Sequence, residues 1–153
     1  MKYTTEVIIN LPLQQVIELF DDPDNMKFWM EGLKSFEHIS GTPGQAGAKS
    51  KLKFQTGRKE IVMIETITVR NLPEEFTGVY EVKGVFNVVK NSFTELSGKR
   101  THYKTENEFR FTGIMRLIAP LMKGAFKKQS HKYQNDFRLV AEKLQQPEMN
   151  YEP

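Results

Sequence analysis

The sequence holds no cysteine. That excludes a disulfide scaffold, a thiolate nucleophile, a Cys-ligated zinc and an iron–sulfur cluster. It holds three histidines, His38, His102 and His131, far apart in the chain. Metal sites and Ser–His–Asp triads both need histidines that converge in an interior. His102 falls on the charged face of its predicted strand and His131 on the wet side of its predicted helix, so a metal is not expected. No run of five like charges occurs, and the net charge is only +3. The nearest thing to a basic footprint, Lys123, Lys127, Lys128 and Lys132, reads as a solvated helix face rather than a nucleic-acid surface. No stretch approaches the roughly 18 apolar residues of a membrane span, and Met1–Glu6 lacks the apolar run of a secretory signal. The expectation is a cytoplasmic protein without nucleic-acid partners or stable membrane insertion.

What is present is one domain's worth of alternating and helical pattern in 153 residues, eleven of them Phe and seven Met. Tyr3, Thr5, Val7, Ile9 and Leu11 share one side of a first strand. Pro12 ends that strand and suits a helix start, with Leu13, Val16, Ile17 and Phe20 at helical spacing. Asp22-Pro23-Asp24 breaks the helix, and Asp24 or Asn25 is placed to cap a second short helix carrying Met26, Trp29 and Met30. From Gly32 to about Thr112 the period is two. Six strands follow, among them Ile61–Val69, apolar on both sides as a central strand should be, and Val85–Leu96. Ser97-Gly98-Lys99 signals a hairpin. In the last strand Tyr103, Thr105, Asn107, Phe109 and Phe111 point inward, away from His102, Lys104, Glu106, Glu108 and Arg110.

After Gly113 the period becomes 3.6. Met122, Phe126, Gln129, Tyr133, Phe137, Val140 and Leu144 define one stripe of a helix from Pro120 to Gln146. At roughly 40 Å it is long enough to cross a whole sheet. The domain therefore spans 1–146, with 147–153 read as a frayed tail. The class is α+β: a curved antiparallel sheet of about seven strands around one long C-terminal helix, with two short helices after the first strand. A twisted sheet and a straight rod do not fit flush, and the gap is a natural cavity.

Residues Val7-Ile8-Ile9-Asn10-Leu11-Pro12 with Val16 and Phe20, then Asp22-Pro23-Asp24-Asn25 and Trp29, resemble the start of the helix-grip superfamily. That group contains the START lipid-transfer domains, the birch-pollen-allergen-like proteins and the polyketide cyclase/dehydrase branch. Arg116-Leu117-Ile118-Ala119-Pro120-Leu121-Met122 before the long helix is similar to the bacterial cyclase-like members. The resemblance implies a deep apolar cavity used for lipids, polyketides, quinones or hormones. It implies no universal catalytic residue.

Polar residues on dry faces carry the remaining signal, because a buried polar group needs a partner, water or a ligand. Thr105, Asn107, Gln129 and Glu65 are of this kind. Phe54, Tyr80, Tyr103, Asn107, Phe109, Met122, Phe126 and Gln129 are the expected ligand-binding set, with no cofactor. Gly44-Gln45-Ala46-Gly47-Ala48-Lys49-Ser50 resembles a phosphate loop but has the wrong spacing and precedes a strand. Three functions are compatible with the chain. The first is a carrier of a small hydrophobic molecule. The second is an aromatase/cyclase-type enzyme, for which Glu65, Tyr80 and Tyr103 would be the only acids and bases. The third is a protein-interaction module with a collapsed cavity. Catalysis is the less expected of the first two.

Overall fold

The computed structural model describes residues 1–144; the expected tail, 147–153, lies outside them. Strand β1 (Lys2–Ile9) alternates as expected, burying Tyr3, Thr5 and Ile9. Pro12 accepts the first helical bonds of α1 (Leu13–Phe20), from Gln15 and Val16. The second short helix is a 3-10 turn, Pro23–Phe28, rather than an α-helix. Its cap is Asp22, whose Oδ1 accepts from the Asp24 amide at 2.9 Å, and not Asp24 or Asn25. Pro23 explains the shift, because it needs no amide partner in the first turn. Gly32, at φ +86°, then turns the chain into the sheet where an added Cβ would stand 2.7 Å from the Gln55 carbonyl oxygen.

Six more strands follow: β2 (Leu33–Ser40), β3 (Lys49–Thr56), β4 (Lys59–Asn71), β5 (Glu75–Val82), β6 (Val85–Leu96) and β7 (Arg100–Phe111). All pair antiparallel in the order β1-β7-β6-β5-β4-β3-β2. The hairpin at Ser97-Gly98-Lys99 sets β6 against β7 from Val85↔Phe111 to Leu96↔Arg100. Register shifts in β2 and between Ile67 and Val69 of β4 bend the sheet. Strand β4 is internal, but its apolar residues are not all covered: Ile61, Val62 and Val69 are exposed, Val62 on the outer face that no helix packs against.

Residues Met115–Ile118 form a short α2, Ala119–Met122 a 3-10 turn, and Lys123–Leu144 the long helix α3. Pro120 thus sits before the long helix, not at its first position. The Gln145–Gln146 end expected for it falls outside the described residues. The buried stripe of α3 is Gln134, Phe137 and Ala141, with Phe126 and Ser130 half-buried. It is rotated from the stripe expected, since Gln129, Met122 and Leu144 are exposed. Ala141 and an amide that finds partners let the helix lie closer to β1 than larger side chains would.

The packed core lies under the C-terminal half of α3. Ile9, Leu11, Val16, Trp29, Phe93, Tyr103, Phe137 and Ala141 form one cluster. Phe20 wedges into it from α1, 4.9 Å from the Phe93 ring and 6.0 Å from Phe137, and Trp29 meets Phe137 edge-on at 4.7 Å. Trp29 is thus a packing anchor of this core, and it also borders the hollow described next.

Candidate functional site

Under the N-terminal half of α3 the layers part. A cavity of about 340 Å³ lies between that half and the inner face of β3 to β7. Its walls are mostly apolar: Phe20, Met30, Met63, Ile67, Phe76, Val89. One wall is a stack in which Phe109 lies 5.1 Å from Phe126 and 5.8 Å from Tyr3, with Phe111 behind it, 6.0 Å from Phe126. Phe109 and Phe126 therefore do not flank an empty space between them; they touch, and together they face it. A collapsed cavity is not what the chain builds.

Alternation on β5, β6 and β7 aims a set of polar side chains inward. One group is nearly complete in itself. The Asn91 Oδ1 accepts from the Tyr103 hydroxyl at 2.8 Å and from Thr105 Oγ1 at 3.3 Å, and its Nδ2 donates to the Phe76 carbonyl. Gln134, reaching down from α3, donates its Nε2 to the carbonyls of Tyr103 (3.0 Å) and Thr5 (3.3 Å) and to Thr105 Oγ1 (3.1 Å). Two of these acceptors are carbonyls, which fixes the orientation of the amide. Burial pushes the Tyr103 hydroxyl up to about 12, so it stays a donor at neutral pH.

The second group is incomplete. Asn87 Nδ2 donates to Asn107 Oδ1 at 3.4 Å. Asn87 Oδ1 and Asn107 Nδ2 are buried with no partner, as is Gln134 Oε1. The Asn pair, in the cavity wall, thus leaves one acceptor and one donor unmatched side by side. Swapping both amides end for end would leave the same complement.

Glu65 forms a third feature. It is buried on β4 opposite Tyr80 of β5. Burial raises its carboxyl above the ordinary value, and the facing Tyr80 hydroxyl offsets part of the rise. Tyr80 in turn is pushed well up, first by burial and then by the neighbouring carboxylate. At the rim, Arg70 clasps Asp21 through two contacts of 2.6 Å and the Gly44 carbonyl at 3.1 Å. It ties the end of α1 to the glycine-rich β2–β3 loop. That loop, Gly44–Ala48, joins two strands, as its spacing required.

Of the expected ligand-binding residues, Tyr80, Tyr103, Asn107, Phe109 and Phe126 line the cavity. Gln129 reaches its edge while remaining exposed. Phe54 and Met122 do not line it. Phe54 is buried away from it on β3, and Met122 is exposed before the long helix. The buried amide of α3 is Gln134, which the expected stripe overlooked; its spacing of three from Phe137 and four from Ser130 was the available signal. Asn87, Asn91, Tyr3 and Ser130 were also missed. Tyr3 shared an inward face with Ile9, and its hydroxyl meets Ser130 Oγ at 2.6 Å. His102 and His131 stay outside, His102 facing Glu6 at 3.7 Å, and His38 is exposed near the rim. Among the described residues no three His, Cys, Asp or Glu side chains are grouped to hold a metal, and no helix is long and apolar enough to cross a membrane.

Known proteins share this architecture. TTHA0849 from Thermus thermophilus superposes with a TM-score of 0.77 at 13% identity, over 95% of this chain and 100% of its own. The Zhui aromatase/cyclase from Streptomyces sp. R1128 gives 0.77 at 12% identity, over 94% of each chain. Ara h 8.0201 gives 0.74 at 12% identity, over 92% of this chain and 97% of its own. At such identities the likeness establishes the fold, which is the helix-grip fold. No curated protein sequence matches. A profile for polyketide cyclase / dehydrase and lipid transport proteins matches residues 1–143. A curved seven-stranded sheet gripping one long helix, matched by that profile along nearly its whole length, makes this chain a member of the polyketide cyclase / dehydrase and lipid transport family.

Proposed function

We propose that the protein binds and carries a small hydrophobic molecule in the cavity beneath α3, in the cytoplasm and without a cofactor. The observation that carries this reading is the pairing of mostly apolar walls with two unsatisfied amide groups, Asn87 Oδ1 and Asn107 Nδ2. A buried donor and acceptor left open cost stability, and a ligand that supplies the complement recovers it. The guest that fits has an oily body and one end that both donates and accepts a hydrogen bond, such as a hydroxyl, a phenol or a carboxylic acid. Burial of its apolar area, at about 25 cal/mol per Å², drives entry, and the amides set its orientation. Native mass spectrometry of protein incubated with a cell lipid extract tests the proposal. A discrete bound mass, lost in the Asn107→Val variant, is expected. Protein that stays bare with lipids, quinones and aromatic polyketides alike overturns it.

A second reading is favoured by Glu65. A carboxyl of raised pKa facing a tyrosine hydroxyl inside an apolar pocket has the makings of a general acid–base pair. An aromatase/cyclase-type dehydration of a polyketide-like substrate would then be lost in Glu65→Gln and kept in Asn107→Val. Full activity in Glu65→Gln removes Glu65 from that role.

A further inference from the structure

Between β7 and the long helix the chain carries an apolar stripe that the fold leaves unused. Ile114, Leu117, Ile118, Leu121 and Met122 recur at i, i+3, i+4, i+7 and i+8, the spacing of a helix face meant for burial. Yet Leu121 is 88% exposed, Leu117 78%, Ile114 71%, and Ile118 and Met122 40% each. The cause lies on the opposite side of the same turns. Ala119 is fully buried and Met115 packs over Gly84, so those residues face the body and the branched ones face out. Isolated exposed apolar side chains are ordinary; five on one short segment form a patch.

The charge along this stretch of the chain has one sign. From Phe109 to Asn135 the sequence contains no acidic residue, while Arg110, Arg116, Lys123, Lys127, Lys128 and Lys132 fall within it. Arg110 is held by Glu108, and Lys132 by Glu31 and Asp136. Arg116, Lys123, Lys127 and Lys128 form no salt bridge among the described residues. Glu6 shares an outer groove with Lys127 and Lys128 and lies 3.7 Å from His102. A tip of aliphatic side chains collared by free cations matches an interface that is oily inside and negative at its surface. It lacks the Trp and Tyr anchors that dominate protein interfaces.

We infer that the segment Ile114–Met122, with Arg116, Lys123, Lys127 and Lys128, docks on the surface of an anionic lipid bilayer. The leucines enter the boundary between headgroups and acyl chains, and the cations meet the lipid phosphates. Phe126, one turn after Met122, is already part of the cavity wall. Docking therefore sets the cavity next to the membrane without any segment spanning it. The inference does not depend on the cavity being occupied.

Flotation of the full chain with vesicles tests it. The protein should float with phosphatidylcholine vesicles containing phosphatidylglycerol and stay behind with phosphatidylcholine alone. Lys123→Gln and Lys127→Gln should each lower partitioning about fivefold, and added salt should lower it in the parent. Leu117→Ser/Leu121→Ser, at solvent-exposed positions, should abolish flotation with an unchanged circular dichroism spectrum. Equal binding to neutral vesicles, or flotation of the serine variant like the parent, overturns the inference. So does a lipid-free dimer that the serine variant dissolves, which would make the tip a contact between copies of this chain.

Discussion

At the scale of single residues, the interior amides cost stability, which the proposed binding recovers. Asn87 and Asn107 make one long bond to each other and leave a donor and an acceptor buried and unmatched. Replacing both with valine, a residue at home in strands, should raise stability by about 1–3 kcal/mol in urea unfolding while weakening ligand binding. Glu65 gives the pH dependence. Its carboxyl titrates above its ordinary 4.5 in the fold, so the folded state holds a proton that the unfolded chain has released. The associated stability is complete below pH 4.5 and is lost as the pH rises through the folded value. Glu65→Gln, which keeps the neutral form's shape, should flatten that slope and stabilise the protein at neutral pH, as read from urea midpoints across the acid-to-neutral range. Asn107 and Glu65 were legible in the sequence because each breaks an apolar alternation. Gln134 was harder to see, because a stripe chosen for hydrophobicity passes one step to its side; its spacing from Ser130 and Phe137 was the sign, and the carbonyls of Thr5 and Tyr103 show why an amide belongs there.

At the scale of elements, α3 has two halves with different duties. Phe137 closes the packed core, while Phe126 stands against the hollow. Phe137→Ala should cost about 3–5 kcal/mol in chemical denaturation. Phe126→Ala should cost about 1 kcal/mol, the loss of its ring contacts, and should enlarge the cavity so that bulkier guests bind better. The number of strands and the hairpin at Gly98 follow from alternation and turn residues, and the bounds of β6 are read directly, but β1 ends at Ile9 rather than Leu11 and β4 runs two residues further at each end than Ile61–Val69. The 3-10 geometry of Pro23–Phe28 does not, since the same Asp-Pro-Asp pattern begins either kind of helix. Arg70 joins two elements that are distant in the chain. Arg70→Ala should release the end of α1 from the β2–β3 loop and speed both ligand entry and exit in stopped-flow fluorescence, with little change in stability.

At the scale of the whole molecule, the misfit of a bent sheet and a straight helix is visible in the order of elements alone, and the cavity is its result. Its position is not visible, because that depends on which half of α3 carries the small and polar residues that seat it. The strand order carries a further consequence. Strands β2 to β7 each pair with a neighbour in the chain, and only β1 must wait for a distant partner, with Lys2 opposite Glu108. During synthesis on the ribosome the first strand emerges long before β7 and α3 exist to receive it. The nascent meander can zip up hairpin by hairpin, yet the chamber has neither its far wall nor its roof until translation of those last elements is done. A product truncated before α3 should fail to retain a bound hydrophobic molecule under native mass spectrometry, because the chamber it would occupy is not yet closed.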